Sequence, residues 1–216
     1  MKKRQHYWVI ASFAFLFFVM LGYVVKFYPE ALRPFDTSVQ STIRGDLPQP
    51  LTAFFKTITV IGNPSTQAII AAVAVIVLWL KKWYAEAIYV ATNSILAGIC
   101  IVSLKYIYQR PRPSITHLVH ASGNSFPSGH ATGTFLIIGS IFVICFQRLS
   151  SQTAKWTAAI LLGLLIFCIA LSRIYLGVHY PSDIIGGFLL AYAIHNLVFP
   201  YYDQLRFKWR FRGKQN

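Results

Sequence analysis

Six long apolar runs, separated by short polar connections, divide this chain of 216 residues. Each run is close to the length that a helix needs to cross the hydrocarbon core of a bilayer, about 20 residues. The runs lie at about 7–25, 57–80, 85–108, 130–146, 156–172 and 184–199. The pattern predicts an all-α integral membrane bundle with six transmembrane helices, built as a single domain over residues 1–216.

The first two runs have features that other kinds of segment share. The first follows Met1-Lys2-Lys3-Arg4, as in a signal peptide. It is longer than the apolar part of such peptides, about 7–15 residues, and no small-residue cleavage site ends it, so we expect a retained span. The second is interrupted by Gly62-Asn63-Pro64. Before it, residues 51–55 are expected to form a short helix in the membrane interface.

The composition agrees with a membrane protein. Hydrophobic residues make up 56% of the chain and charged residues 12%, about half the charged fraction of soluble domains. The net charge is +14, but the cations lie in short clusters between apolar runs, which favours anionic lipid headgroups over nucleic acid as partners. The three cysteines lie inside apolar runs and are interpreted as small buried hydrophobes.

The lysines and arginines are divided unevenly between the two ends of the spans. If the N-terminus is cytoplasmic, twelve of the 20 cations fall on the inner side. These are Lys2, Lys3, Arg4, Lys81, Lys82, Arg148, Lys155, Arg206, Lys208, Arg210, Arg212 and Lys214. Because cytoplasmic connections carry the excess of cations, we expect both termini in the cytoplasm.

Polar residues near the ends of the last four spans fall at one membrane face, the outer one. Ionisable groups at membrane depth are costly and usually serve a site, and a set that converges is a stronger indication than any single residue. The candidate site residues are Lys105, Arg112, Ser128, Gly129, His130, Arg173, His179 and Asp183.

Four other polar residues receive ordinary structural interpretations. Arg110 is expected to snorkel to the headgroups. His195, deep in the last run, is expected to be a satisfied polar core residue. His117 and His120, which lie in a connection, are expected to be solvated.

The candidate residues suit a compact polyanion such as phosphate. Arg112 and Arg173 offer planar forks that match phosphate oxygens, and Lys105 adds a point charge. Ser128 and Gly129 precede a helix whose first backbone N–H groups are unpaired and carry partial positive charge. These features predict a phosphate-binding site at the start of the fourth span.

Two histidines complete a catalytic set. His179 and Asp183 are spaced i, i+4, so the carboxylate can hold one imidazole proton and leave the other nitrogen as a nucleophile. His130 would protonate the leaving alkoxide and later activate water.

A two-metal mechanism is the main rival for such chemistry, since many phosphatases bridge two metals with carboxylates. Between residues 87 and 200, which include every candidate residue, Asp183 is the only carboxylate. One carboxylate and two histidines among three cations make a poor divalent-cation site, so we expect neither a metal nor another cofactor.

At these residues the chain resembles the type 2 phosphatidic acid phosphatase (PAP2) superfamily. The motif K-x6-R-P reads KYIYQRPRP from Lys105, P-S-G-H is found at 127–130, and S-R-x5-H-x3-D reads SRIYLGVHYPSD from Ser172. The resemblance implies a helical membrane bundle and metal-free hydrolysis of lipid phosphate esters. It also implies roles for the matched residues. These are phosphate binding by Lys105, Arg112, Ser128, Gly129 and Arg173, acid catalysis by His130, nucleophilic attack by His179, and orientation of that histidine by Asp183.

The compact chain looks like bacterial phosphatidylglycerophosphatase B-type members, which implies a multi-pass protein of the bacterial cytoplasmic membrane with an outward site. Hydrolysis of phosphatidylglycerophosphate to phosphatidylglycerol, through a phosphohistidine, is the leading expectation. Undecaprenyl pyrophosphate phosphatase activity is the alternative, as is a broad activity on phosphatidate or diacylglycerol pyrophosphate. Vanadate or tungstate should bind as phosphate analogues.

Two other classes stay open from the sequence. A transporter or anion channel would explain the cations, since intramembrane charges also mark ion pathways, but not the two histidines. Vanadium-dependent haloperoxidases share a similar anion pocket, but a lipid-facing chain with little soluble mass does not favour peroxidase function.

Overall fold

The computed structural model describes residues 2–215, with side chains described from Arg4 onward. Its regular structure is helical throughout the described part, with no strand. The helices are α1 (Lys2–Phe27), α2 (Pro29–Arg44), α3 (Gln49–Ile58), α4 (Pro64–Leu80), α5 (Tyr84–Tyr108), α6 (Gly129–Arg148), α7 (Gln152–Tyr175) and α8 (Pro181–Phe211). The all-α prediction is confirmed.

The predicted spans match these helices, with one of the six broken. Five described helices are long and apolar enough to cross a membrane, namely α1 from Arg4 onward and α5, α6, α7 and α8. The predicted second span corresponds to a bent pair, in which Gln49–Gly62 and Pro64–Leu80 meet at 55°, and it makes a sixth span if the pair crosses as one. The helix expected at 51–55 is present within α3.

The break in the second span has a local cause. After α3 the chain forms a 3-10 turn, Thr59–Gly62, and Asn63 then adopts an extended conformation. Pro64 restricts the residue before it to such conformations and itself suits the first position of a helix, where no N–H is needed. Gly62 lies so close to α6 that an added Cβ would come within 2.4 Å of the His130 ring. The break therefore packs directly against a candidate site residue.

Helix α2 lies between the first two apolar runs, so the apolar pattern does not predict it. It begins with Pro29 at its first position and ends before Gly45, which has a positive φ of 47°. Asp36 and Gln40 are buried on it. Because α2 packs against α7 and α8, it lies across the end of the bundle that carries the candidate residues.

Helix α6 occupies the centre of the bundle and contacts α4, α5, α7 and α8. One core cluster, which includes Phe18, Phe126, Leu136 and Leu190, joins it to α1, α5 and α8. At its start, the Ser128 N–H donates to the Asp183 carbonyl at 3.2 Å, so the first turns of α6 and α8 lie side by side. The three cysteines are unpaired and half-buried in α5, α6 and α7.

A buried ion network joins α5, α6 and α8 at the opposite end of the bundle. Glu86 is fully buried, and its Oε1 accepts two hydrogen bonds from Arg148, at 2.8 and 2.5 Å. The Nε of Arg206 lies 3.3 Å from the same oxygen. Removing one partner of a buried ion pair leaves the other charge uncompensated, which typically costs about 3–5 kcal/mol.

We therefore expect Glu86→Ala to lower the free energy of unfolding by about 3–5 kcal/mol, because two arginines lose their counter-charge. The measurement is thermal unfolding of the purified protein in detergent, followed by tryptophan fluorescence. Glu30→Ala is the control, since Glu30 and Arg33 form an exposed pair at 3.2 Å. Exposed pairs contribute little. Equal shifts of the midpoint in both variants would contradict the assigned role of the buried network.

Candidate active site

The centre of the site is the pair formed by His179 and Asp183. His179 lies in the short turn between α7 and α8, and Asp183 lies in the first turn of α8. The Nδ1 of His179 is 3.2 Å from Asp183 Oδ2, and both side chains are buried. The carboxylate can only accept, so this contact places the imidazole proton on Nδ1 and leaves a lone pair on Nε2. The predicted i, i+4 pair is present.

The turn that carries His179 requires a glycine. Gly177 has a positive φ of 80°, and an added Cβ there would come within 2.3 Å of Arg44 Nη1 and 2.8 Å of the Thr116 carbonyl. Residues with a side chain rarely adopt this backbone conformation, and there is also no space for a side chain at this position. The turn is therefore fixed locally, and it brings the nucleophile candidate back toward α6.

Burial affects the protonation state of His179. Desolvation lowers the pKa of its imidazole to about 4, and Arg173 and Arg112 act in the same direction, whereas Asp183 acts in the opposite direction. A histidine with a lowered pKa is neutral at pH 7, so its Nε2 lone pair is available for attack.

Asp183 receives more donors than the sequence motif accounts for. Its Oδ2 accepts from His179, from the Tyr180 N–H at 2.8 Å and from the Ser125 hydroxyl. Its Oδ1 accepts from Arg110 Nη1 at 2.7 Å. Both oxygens of this fully buried carboxylate are thus engaged by protein donors.

The interpretation of Arg110 as a snorkelling residue is wrong. Its side chain is buried, its Nη2 donates to Asp36 Oδ2 at 2.8 Å, and its guanidinium stacks on Tyr180 at 4.1 Å from the ring centroid. The counter-charge comes from Asp36, 74 residues earlier in the chain. A sequence pattern read span by span does not bring Asp36 and Arg110 together.

His130 lies in the first turn of α6, and its Nε2 is 3.2 Å from the Asn63 side-chain oxygen. Asn63 belongs to the break in the second span. The break thus supplies a hydrogen-bond partner to the predicted general acid. Nothing in the sequence apart from the interruption itself indicates this contact.

The three predicted cations surround His179. Arg112 Nη1 is 3.4 Å from His179 Nε2. The Arg112 guanidinium donates to the carbonyls of Ser122, Gly123 and Val178 at 2.6–3.0 Å, so two of its five N–H groups are not bonded to a carbonyl, and one of these two faces His179 Nε2. Lys105 donates to the Asn124 carbonyl, which uses one of its three N–H groups.

Arg173 has an unpaired donor. Its Nη1 donates to the Thr59 hydroxyl at 2.6 Å, while its buried Nε has no hydrogen-bond partner among the described residues. Buried donors are nearly always paired, and an unpaired one is costly. An anion bound beside Arg173 would supply the missing acceptor.

Ser128 and Gly129 lie at the start of α6 in different roles. The fully buried Ser128 caps the helix, its hydroxyl accepting from the Ala131 N–H at 3.4 Å. Ser128 does not line the cavity that is bordered by His130 and His179, whereas Gly129 does. The first N–H groups of α6 have no carbonyl partner within the helix and suit an anion.

A cavity of about 710 Å³ joins these groups. One end is lined by Lys105, Arg112, His130, Arg173 and His179, and exposed His120 also reaches it. The rest of the wall is mainly apolar and belongs to α4 and α5. Its residues include Ala68, Ala71, Ile95, Ile101 and Val102. The cavity therefore combines a cationic end with an apolar channel.

The other histidines lie as predicted. His195 Nδ1 is 3.1 Å from the Tyr89 hydroxyl within the bundle, and His117 is exposed on the connection between α5 and α6. Within residues 4–215, no three His, Cys, Asp or Glu side chains meet at a spacing that would hold a metal ion.

Comparison with known families and proteins gives consistent results. The family model of the PAP2 superfamily matches residues 86–207. Phosphatidylglycerophosphatase B of Bacillus subtilis is 34% identical over 51% of this chain and 54% of its own length. Undecaprenyl-diphosphatase BcrC of the same organism is 33% identical over 65% of this chain and 73% of its own. The putative undecaprenyl-diphosphatase YbjG of Escherichia coli is 32% identical over 53% and 57%.

The chain thus spans little more than half the length of two of these three relatives. Among solved structures, a transmembrane PAP2 type phosphatidylglycerolphosphate phosphatase from Bacillus subtilis has the same fold, with a TM-score of 0.81 at 23% identity. The superposition covers 90% of this chain and 96% of that one.

The contact between Gly62 and His130 leads to a prediction about the site. Gly62→Ala would push the His130 ring from its position, and misplacement of a reacting group by about 1 Å costs on the order of 100-fold in rate. We expect phosphate-ester hydrolysis to fall by about 10- to 100-fold while the protein stays folded. Gly163→Ala is the matched control, because an added Cβ there meets no atom within 4 Å. Equal activity of both variants would show that the Gly62 contact does not position His130.

Proposed function

We propose that this chain, which belongs to the PAP2 superfamily, hydrolyses the terminal phosphate of a membrane lipid. The proposed reaction passes through a phosphohistidine on His179. The observation that carries the proposal is the cavity in which His179 lies among three cations at one end of an apolar channel. A lipid phosphate has the same division into a charged head and an apolar tail.

In the proposed first step, His179 Nε2 attacks the phosphorus atom and the bond from phosphorus to the lipid oxygen breaks. His130 gives a proton to that oxygen, and the dephosphorylated lipid leaves. Negative charge on the phosphoryl oxygens is stabilised by Lys105, Arg112 and Arg173 and by the first N–H groups of α6.

In the second step, water attacks the phosphohistidine and His130 accepts its proton. The bond from phosphorus to Nε2 breaks, inorganic phosphate leaves and the lone pair of His179 is restored. Both oxygens of Asp183, the site carboxylate, are occupied by protein donors, so this residue does not bridge metal ions. The proposed chemistry therefore needs no metal.

We propose phosphatidylglycerophosphate as the substrate and phosphatidylglycerol as the product, supported by the relatives named phosphatidylglycerophosphatase B. Undecaprenyl pyrophosphate is the second candidate, because the relative named BcrC is matched over more of its length, 73% against 54%. Both lipids present a terminal phosphate to the cationic end of the cavity. A broad activity would also include phosphatidate and diacylglycerol pyrophosphate.

We propose further that the protein lies in the bacterial cytoplasmic membrane with both termini inside and the site outside. Six crossings, with the bent pair counted as one, return the chain to the side from which it started. The excess of lysine and arginine at the ends away from the site favours that side as the cytoplasmic one.

His179→Ala should abolish phosphate release from a lipid phosphate, because the variant lacks the proposed nucleophile. Vanadate and tungstate should still bind to the variant through the three cations, although more weakly. Released phosphate and analogue binding are measured on protein in detergent, with the exposed His6→Ala variant as control. Retained hydrolysis in His179→Ala would refute the assignment of the nucleophile.

A panel of purified lipids tests the substrate. Phosphatidylglycerophosphate, undecaprenyl pyrophosphate, phosphatidate and diacylglycerol pyrophosphate are compared by kcat/KM in the same detergent. We expect the first to be hydrolysed fastest. Comparable values for two or more lipids would replace the specific assignment with a broad one.

A further inference from the structure

A buried network of charges reaches from α2 to the carboxylate beside the nucleophile. Arg110 lies between Asp36 and Asp183, donating to Asp36 with Nη2 at 2.8 Å and to Asp183 with Nη1 at 2.7 Å. Asp36 is 1% exposed and Asp183 is not exposed at all. Its position in α2 places Asp36 outside the residues that the family model matches.

Asp36 also holds the start of α8. It accepts from the Ser182 N–H at 2.9 Å and from the Ser182 hydroxyl at 2.7 Å, and Ser182 directly precedes Asp183 in the chain. The same serine hydroxyl lies 2.7 Å from Arg110 Nη1. Asp36 is thus connected to Asp183 by two short routes, one through the guanidinium and one through the backbone.

One face of α2 contacts the segment that carries the nucleophile. Residues 36, 40 and 44 are spaced four apart and lie on that face. Gln40 donates to the His179 carbonyl at 3.3 Å, and Arg44 donates to the Tyr175 carbonyl at 3.0 Å. Helix α2 therefore contacts the end of α7, the turn that follows it and the start of α8.

The charges of the network have a consequence for His179. The Asp183 carboxylate and the Arg110 guanidinium together carry no net charge. Asp36 restores one negative charge to this buried group of three. When Nε2 bonds to phosphorus while Nδ1 keeps its proton, the imidazole ring becomes positively charged. Lys105, Arg112 and Arg173 oppose that charge, so a buried negative group behind the ring favours the reaction.

We propose that Asp36 is a positioning residue for the nucleophile, acting through Arg110 and Ser182 on Asp183 and so on His179. The inference rests on the proposed function, since it assigns Asp36 a part in forming the phosphohistidine. It extends the pair in the sequence motif to a chain of imidazole, carboxylate, guanidinium and second carboxylate.

Asp36→Asn is the direct test, because it keeps the shape of the side chain and one acceptor oxygen but removes the charge. We expect kcat to fall by about 10- to 100-fold, with KM within about threefold of wild type. Losses of this size are typical when a residue that hydrogen-bonds to a metal ligand is substituted, and Asp36 stands in a comparable position behind Asp183. The substrate contacts the cationic end of the cavity and not Asp36, so binding should be kept. Lipid hydrolysis is followed in detergent under saturating and limiting substrate.

A double-mutant cycle separates this role from a general structural one. In the Asp183→Asn background the hydrogen-bonded route to His179 is already broken and only the loss of charge remains, so adding Asp36→Asn should lower kcat at least about threefold less than it does in the wild type. A loss of the same size in both backgrounds would overturn the proposal. Glu30→Gln is the matched control, since it makes the same chemical change on the exposed side of α2 and should leave kcat unchanged.

The thermal midpoint of each variant shows whether it is folded. If Asp36→Asn does not fold, Ser182→Ala takes its place, because it weakens the hold on Asp36 without removing its charge. We expect a smaller fall in kcat for Ser182→Ala, about 3- to 10-fold. An unchanged kcat in whichever of these two variants is folded would overturn the proposal.

Vanadate binding distinguishes failure of this inference from failure of the proposed function. Vanadate accepts a bond from a histidine nitrogen as the phosphoryl group does, so its affinity reports the placement of His179. If the wild type hydrolyses none of the lipids in the panel, the proposed function fails. Asp36→Asn should still weaken vanadate binding by about 10-fold relative to Glu30→Gln, and equal affinities would overturn the inference alone.

Discussion

The site depends on the hydrogen bonds and the ion pair of the buried Asp183 carboxylate. Its donors come from three stretches of the chain: the turn before α8, residue Ser125 and residue Arg110. A fully buried carboxylate without its partners would be very unfavourable, so these segments must meet for the bundle to close around it. The hydrogen bonds that stabilise the buried Asp183 carboxylate therefore also fix the tautomer and the orientation of His179.

The cationic end of the cavity results from helix ends that alternate in direction. Helices α5 and α7 end there, whereas α6 and α8 begin there. Charged side chains are tolerated near these ends because they face backbone carbonyls and the cavity, and not lipid tails. Arg112 shows how the repulsion among three cations is limited, since three carbonyls accept from its guanidinium. The remaining donors point to an anion as the ligand that completes the site.

Much of this arrangement could be predicted from the sequence, because its signals are local. The apolar runs give the spans, and the spacing of His179 and Asp183 gives their contact. Partners that are distant in sequence could not be predicted in this way. A cation near a helix end, such as Arg110, is typical of a residue that snorkels to the headgroups. Its partner Asp36 lies far away in the sequence, on a helix that has no apolar run.

The broken second span shows a similar limit. The sequence Gly62-Asn63-Pro64 marks an interruption, but not the direction in which the chain turns. In the structure the bend carries Thr59 to Arg173 and Asn63 to His130. An interruption that weakens the second run as a membrane span therefore supplies two partners to the site. Tertiary contacts, and not local preference, give the break this role.

The division of the cavity suggests where selectivity among lipid phosphates arises. The charged end is built from residues within the family match, and under the proposed function it receives the terminal phosphate of the lipid. Helix α4 lies outside that match and forms much of the apolar wall. The middle of α5 lies within the match and adds its small residues Ser94, Ala97 and Gly98 to the same wall. Relatives at 33–34% identity carry different names, from phosphatidylglycerophosphatase to undecaprenyl-diphosphatase. Under the proposed function, the lipid tail lies along the wall that α4 and α5 form, and we propose that this wall affects the choice between a diacyl and a polyprenyl tail.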